Sequence, residues 1–295
     1  MSDAPGLSVD ALSVLVDGQQ LHVTHLRAQR GPLLAPLLML PGYLSDARVF
    51  GDETRGLAQY LARCGYDVYV PDPHGHGRSW PHTGRASCHD FHALINQDLP
   101  ALAARIATLR PGAPQVWISH GWGAVWMAAC YARHHADLPA IAGFVHLAPQ
   151  RRVLARSWRQ RWYYHGLLRG LARFGAALLG YLPASRWGMG VADASWGALR
   201  DYLAWSAAPA WCDRRDGFDY RAAALACDWP PSLNLSAPGF GLIGHPDEVR
   251  LFLADLPAHD CQLLLSAVDG QGVCDDGQFP RVLGWLGRRY AVPVG

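Results

Sequence analysis

Residues 115–126 read QVWISHGWGAVW, and this stretch decides the architecture. Val116–Ile118 is an apolar run. Ser119-His120-Gly121-Trp122-Gly123 is a turn in which small residues alternate with large ones, and Ala124 to His134 has the pattern of a helix. A strand that ends in a glycine-spaced turn and passes straight into a helix is half of a β-α-β unit. Working outwards, the rhythm repeats. Strands are expected at Leu37–Leu40, Asp67–Val70 and Gly143–Leu147, with helices at Leu57 to Arg63 and Phe91 to Leu109. The chain opens on a hairpin, Leu12 to Val16 and Leu21 to Thr24, around the turn dipeptide Asp17-Gly18. After Pro230-Pro231 the alternation resumes with a strand at Leu233–Leu235, a helix from Pro246 to Ala254, a strand at Cys261–Ser266 and a helix from Arg281 to Tyr290. The expectation is an α/β fold with a mostly parallel central sheet and helices on both faces. Its core is residues 1–150 and 231–295, interrupted by a helical, aromatic insertion over 151–230 that holds seven of the twelve tryptophans.

Composition narrows the function. The 295 residues carry 26 Lys+Arg against 24 Asp+Glu, and every one of the 26 is arginine. That bias, with abundant Ala, Gly and Pro, is what a G+C-rich bacterial genome writes. A net charge of +2 is far from the basic excess of a nucleic-acid binder. Seven scattered cysteines without a CxxC signal neither a disulfide framework nor a zinc site. The first residues, MSDAPGLSVD, lack the basic and apolar regions of a signal peptide. No apolar stretch approaches the roughly 20 residues of a membrane span. A cytoplasmic protein without metal or cofactor is expected.

Ligands of open α/β sheets bind beyond the carboxyl ends of the strands. Three strand-end turns carry informative residues: Leu40-Pro41-Gly42-Tyr43, Asp72-Pro73-His74-Gly75-His76-Gly77-Arg78-Ser79, and the turn at Gly121. In this order and spacing they make the chain resemble the α/β-hydrolase superfamily over nearly its whole length. GYDVYVPDPHGHGRS is similar to the loop that follows that family's fourth strand. In detail the chain looks like a bacterial group of predicted lidded serine hydrolases, esterase- or lipase-like, whose Trp/Arg-rich lid runs into a Gly-Tyr-x-Pro turn. Here that turn is Gly180-Tyr181-Leu182-Pro183.

The resemblance implies a nucleophile elbow at 119–123, small-x-nucleophile-x-small. The middle position is Gly121, which has no side chain with which to form an acyl-enzyme. An acid should follow the strand at 233–235, but Ser236-Ala237-Pro238-Gly239-Phe240-Gly241 holds none, and Phe240 stands in its place. A histidine should precede the last helix. The stretch Asp269 to Gln278 has none, and Gln278, or alternatively Gln271, occupies its position. Glutamine hydrogen-bonds but carries no proton at neutral pH. The triad is thus expected to be degenerate, and the backbone N–H groups of Tyr43 and Trp122, beside His120, are the positions that form an oxyanion hole in the family.

Other candidates have plainer readings. His120 is expected to be structural. The His74-x-His76 pair lacks a third metal ligand in the sequence, and His89, Asp90 and His92 read as a solvated first helical turn. Cys274, with Asp275 and Asp276, lies in the former histidine loop, where nothing adjacent would lower a thiol pKa. Ser119 should point into the sheet.

Between Arg151 and Ala192 there are eight arginines and no acid, interleaved with Trp158, Trp162, Tyr163, Tyr164, Phe174, Tyr181 and Trp187. With Arg159 and its neighbours, this lid reads either as a surface for an anionic lipid, acyl-carrier or membrane partner, or as an amphipathic cover with arginines facing water. Three functions remain. The first is a catalytically emptied hydrolase that binds a small apolar carbonyl or carboxylate ligand as sensor, carrier or partner subunit. The second is an active esterase-like hydrolase, or a lyase or oxygenase on the same fold, with relocated catalytic groups. The third is a structural partner of an active paralogue.

Overall fold

The computed structural model describes residues 6–52, 54–154, 158, 162–236, 244–265 and 277–290. Its centre is an eight-stranded sheet. β1 (Leu7–Val16) and β2 (Gln19–Ala28) form the opening hairpin. β3 (Pro36–Leu40), β4 (Asp67–Pro71), β5 (Gln115–His120), β6 (Ile141–Leu147), β9 (Ser232–Ser236) and β10 (Cys261–Leu265) follow. The spatial order is β1-β2-β4-β3-β5-β6-β9-β10. β2 pairs antiparallel with β1 and β4, and all later pairings are parallel. The hairpin turn has positive φ at Asp17 (48°) and Gly18 (74°), the paired left-handed geometry that this dipeptide favours.

Helices cover both faces. α1 (Leu57–Arg63) and α9 (Phe279–Tyr290) pack Leu57, Leu61, Trp285 and Leu286 on Val68, Val116, Ile118 and Val145. On the opposite face α3 (Leu99–Leu109), α4 (Gly123–His134) and α8 (Pro246–Leu253) pack around Leu38, Trp117 and Phe144. Continuous apolar strands buried on both sides are what a parallel sheet requires, and β3 and β4 have no exposed residue.

Two elements differ from the sequence reading. The helix expected from Phe91 to Leu109 is three pieces: α2 (Phe91–Ala93), a π-helical turn Leu94–Asp98, and α3. Pro100 sits in the first turn of α3. It has no N–H to complete an α-type bond to the preceding turn, and the wider π turn absorbs the mismatch. The second difference lies between β6 and β9. That connection holds a π-helical stretch Trp162–Ala172 running into α5 (Arg173–Leu179), then α6 (Trp196–Trp205) and α7 (Tyr220–Leu225). It also contains an antiparallel ladder of β7 (Tyr181–Leu182) and β8 (Ala194–Ser195). Gly180 ends α5 in the left-handed conformation, and its N–H bonds to Ala176 O, so Gly180-Tyr181-Leu182-Pro183 is a helix stop followed by a two-residue strand. Among the described residues no helix is long and apolar enough to cross a membrane.

Candidate functional site

At the carboxyl ends of β3, β5 and β6 the backbone turns left-handed. Leu44, Gly121 and Ala148 have φ of 59°, 52° and 53°. Such left-handed residues, costly for Leu and Ala, concentrate at functional turns. At the middle one, β5 ends on His120, Gly121 N–H donates to Leu147 O at 2.8 Å, and α4 starts at Gly123. This is a sharp strand-to-helix elbow. A Cβ built on Gly121 would meet no described atom within 4 Å, whereas one on Gly123 would lie 2.6 Å from Leu40 O and one on Gly42 2.8 Å from His120 O. The flanking glycines are therefore required by contact, and the central one is not. The same added Cβ on Gly42 would lie 3.2 Å from Trp122 N, so the turn that leads into Tyr43 runs against the elbow backbone.

That asymmetry gives a measurable contrast. Gly123→Ala forces backbone apart and is expected to cost about 1–3 kcal/mol or more. Gly121→Ala has room and carries only the left-handed penalty of roughly 1–2 kcal/mol. Urea denaturation of the two variants checks the ranking, and the reverse order would contradict an open elbow.

Side chains from three elements converge on the turn. Tyr43 stacks on Tyr202 of α6 at 4.5 Å between centroids, Trp122 lies 4.8 Å from Tyr202, and Phe91 packs edge-on against Trp126 and Trp205. The segment after β7 also reaches this corner, where Val191 N–H bonds to Leu44 O at 3.0 Å. Beside Tyr43 a cavity of about 30 Å³ is lined by His74, His76, His89, Asp98 and Ser195 among others, room for about one water. A larger cleft of about 720 Å³ lies elsewhere, between the β1-β2-β4 edge and α1, and its lining includes Leu26, Arg48, Gln59 and Arg78.

The titratable groups near the elbow are wholly or largely buried. Ser119 has no exposed surface and its Oγ lies 2.7 Å from His146 Nδ1 on β6, so it faces into the sheet. Burial lowers the His146 imidazole to a pKa of about 3 and His120 to about 4. An unfolded histidine titrates near 6.5. As the pH falls from about 6.5 to about 4, the unfolded chain binds protons that these two sites refuse, so stability drops across that window, by about 1.4 kcal/mol per pH unit for each histidine. A non-titrating His120→Asn variant should show a slope shallower by about that amount in urea melts at pH 6.5, 5.5 and 4.5. An unchanged slope would remove His120 from this account.

Several sequence expectations are corrected here. His89, Asp90 and His92 are not a solvated turn. Asp90 caps Ala93 N–H, His89 lines the small cavity, and His92 Nδ1 lies 2.8 Å from Asp213 Oδ2. His92, Asp213 and Asp216 bring ligand-type atoms within 4.8 Å of one another. Arg133 occupies that space as the cation, 2.5 Å from Asp216 and 3.6 Å from Asp213. His74 is buried with Nδ1 2.8 Å from Asp98 Oδ2. The arginines of 151–192 do not all face water. Arg151 is completely buried against Asp255, Arg152 donates to Leu251 O, and Arg169 donates to Leu203 O. Trp158 and Trp162 are exposed. Gln278 is buried and immediately precedes α9, its carbonyl accepting from Arg281 and Val282 N–H. Phe240, Gln271, Cys274, Asp275, Asp276, Arg156, Arg159 and Arg161 lie outside the described residues. Sequence reasoning missed His146, Asp98, Tyr202 and Asp255. Nothing in a linear pattern links positions 24 to 159 residues apart.

A family model described as serine aminopeptidase, S33, matches residues 34–185, slightly more than half of the chain. This chain belongs to that family of α/β hydrolases. No curated protein matches it. Among solved structures, this α/β hydrolase is similar to a soluble variant of monoglyceride lipase from Saccharomyces cerevisiae, at 16% identity over 98% of this chain and 95% of that one, with a TM-score of 0.65. It is also similar to an esterase from Pyrococcus furiosus, at 16% identity over 96% and 91% with a TM-score of 0.58. A third is the haloalkane dehalogenase DatA from Agrobacterium tumefaciens C58, at 14% identity over 95% and 97% with a TM-score of 0.59. At these identities the likeness establishes the hydrolase fold, and its neighbours span esterase, lipase and dehalogenase chemistry.

Proposed function

We propose that this α/β hydrolase has lost serine-dependent hydrolysis and uses the elbow site to bind a small apolar carbonyl or carboxylate compound, as a sensor, carrier or partner subunit. Gly121 carries the reading. It holds the left-handed elbow conformation, with room for a side chain it does not have. On this reading Gln278, or alternatively Gln271, stands in the histidine's place, and either is an amide that transfers no proton at neutral pH. Binding survives such losses because the amide N–H groups of Tyr43 and Trp122 and the first turn of α4 favour a partly negative oxygen whether or not a nucleophile is present. Tyr43, Trp122, Tyr202 and Phe91 supply an apolar wall, with α6 acting as part of a lid. The test pairs two measurements on the full chain: labelling by a fluorophosphonate probe, expected to be absent, and thermal stabilisation by short aliphatic and aromatic carboxylates, expected to be present. Labelling refutes the loss of hydrolysis. The absence of stabilisation by any such acid refutes the binding role.

One observation favours a relocated catalyst as the second reading. The buried His74–Asp98 pair borders the cavity shared with Tyr43, so any turnover found should vanish in His74→Ala.

A further inference from the structure

Among the described side chains of the π-helical stretch Trp162–Ala172 and α5, those wholly buried are small, Ala172 and Ala176. The large apolar ones described there point to solvent: Trp162, Leu171, Phe174 and Leu178 are each 61–68% exposed. Leu171, Phe174 and Leu178 fall at spacings of three and four, hence on one stripe. Trp187 lies across Gly175, where an added Cβ would come 2.6 Å from its ring, and widens the stripe sideways. Trp158, N-terminal to it in the chain, is 77% exposed. A helix that only covered a core would turn its large side chains inward, and contiguous exposed apolar surface of this kind marks an interface.

The charge around the stripe selects the occupant. Arg173 and Arg186 are exposed beside it, and residues 151–192 contain no acid at all. The first acid beyond, Asp193, accepts from the backbone and hydroxyl of Ser185. Tryptophan, phenylalanine and leucine on a helix lying parallel to a surface, flanked by exposed arginines, match the boundary of an anionic bilayer. There the rings sit among the headgroups, the aliphatic side chains enter the acyl region, and the cations meet phosphate. We propose that this stripe docks the protein on anionic phospholipid membranes. The proposal is independent of whether the elbow hydrolyses or only binds its ligand.

Vesicle flotation of the full chain tests it, with phosphatidylcholine alone and with phosphatidylcholine containing phosphatidylglycerol. The protein should float with the anionic vesicles, at least about tenfold more tightly than with the neutral ones, and added salt should release it. Two variants separate the contributions: Phe174→Ser with Leu178→Ser, and Arg173→Glu with Arg186→Glu. Each should weaken binding to anionic vesicles by about tenfold or more. Because all four side chains are exposed, the melting temperature should be unchanged, which distinguishes lost docking from lost folding. The proposal fails if the chain stays off anionic vesicles, if it binds neutral ones equally well, or if both variants bind like the parent. It also fails if the chain forms dimers that Phe174→Ser with Leu178→Ser dissolves while vesicles go unbound, since a second copy would then be the occupant.

Discussion

Short p-nitrophenyl esters should be turned over by this protein no faster than about 10³–10⁴ times the uncatalysed rate, about 10⁶ below a hydrolase with its triad intact. The difference follows from what Gly121 lacks. In a working elbow the side chain at this position attacks the carbonyl, and the surrounding donors stabilise the oxyanion that results. With no side chain, only the stabilisation of charge remains, and it can assist only direct attack by water. Gly121→Ser restores the hydroxyl, and the open space around the Cβ position predicts that the variant folds. On the proposed reading it should still be slow, because the glutamine in the histidine's place, Gln278 or alternatively Gln271, cannot take the serine proton. Restoring turnover should require the serine together with a base. Ser119 is the residue to control for. Its contact of 2.7 Å with His146 has the length of a nucleophile–base pair, but both side chains are buried without exposed surface. Ser119→Ala should therefore leave any residual rate unchanged. Parent activity near that of an ordinary esterase, abolished by Ser119→Ala, would overturn both the empty elbow and the structural role of Ser119.

The sheet was legible in the sequence because each apolar run ends at a residue that cannot continue it. Leu40 is followed by Pro41-Gly42, the β4 run by Pro71-Asp72, and β1 by Asp17-Gly18, so strands and turns announced one another. Helix α1 spans Leu57–Arg63, the range its apolar spacing predicts. The elbow was equally legible, since small residues alternate at 119, 121 and 123, and at 123 the glycine answers a contact requirement set by Leu40 and Pro41. What the sequence hid was the effect of distance and of scale. The ladder of β7 and β8 has two residues per strand, too few for any periodicity to register. The π turn at Leu94–Asp98 comes from a single proline inside an otherwise helical pattern. The partners of buried polar groups, His74 with Asp98 and Ser119 with His146, are set by the fold's closure. The eight arginines of 151–192 misled most, because an arginine-only chain offers no lysines against which to tell buried cations from solvated ones.

Arg151 shows what that hidden class does, and replacing it should have the largest effect on stability in the molecule. It lies just after β6, with no exposed surface. Its Nε and Nη2 donate to Asp255 at 3.0 and 2.8 Å, in the turn after α8. The remaining protons reach the carbonyls of Trp205, Ala208 and Pro209 at 3.0 Å each, at the end of α6 and beyond it. Its guanidinium also lies 5.6 Å from the centre of the Trp211 ring. One planar donor group thus joins the sheet, the following helix and the segment between β6 and β9, using the fork geometry that lysine lacks. Arg151→Met keeps apolar bulk but leaves a buried carboxylate and three carbonyls without this partner. Removing one member of a buried ion pair costs about 3–5 kcal/mol. Arg152 and Arg221, with nitrogens 3.6 and 3.4 Å from Asp255, can take over part of the carboxylate and favour the lower end of that range, which leaves the stranded carbonyls as the larger loss. Urea denaturation should show the loss, and limited proteolysis should open the chain first near residues 205–211, because the tie that fails is the one holding that stretch to the sheet. Replacing Asp255 by Leu in the Arg151→Met background should recover part of the stability by removing the stranded charge, as exchange of a whole buried pair for apolar groups does. A cost below about 1 kcal/mol for Arg151→Met, or no recovery in the double variant, would mean that the segment is held by its aromatic packing, through Tyr202, Trp205 and Trp211, and that the buried arginine is incidental to it.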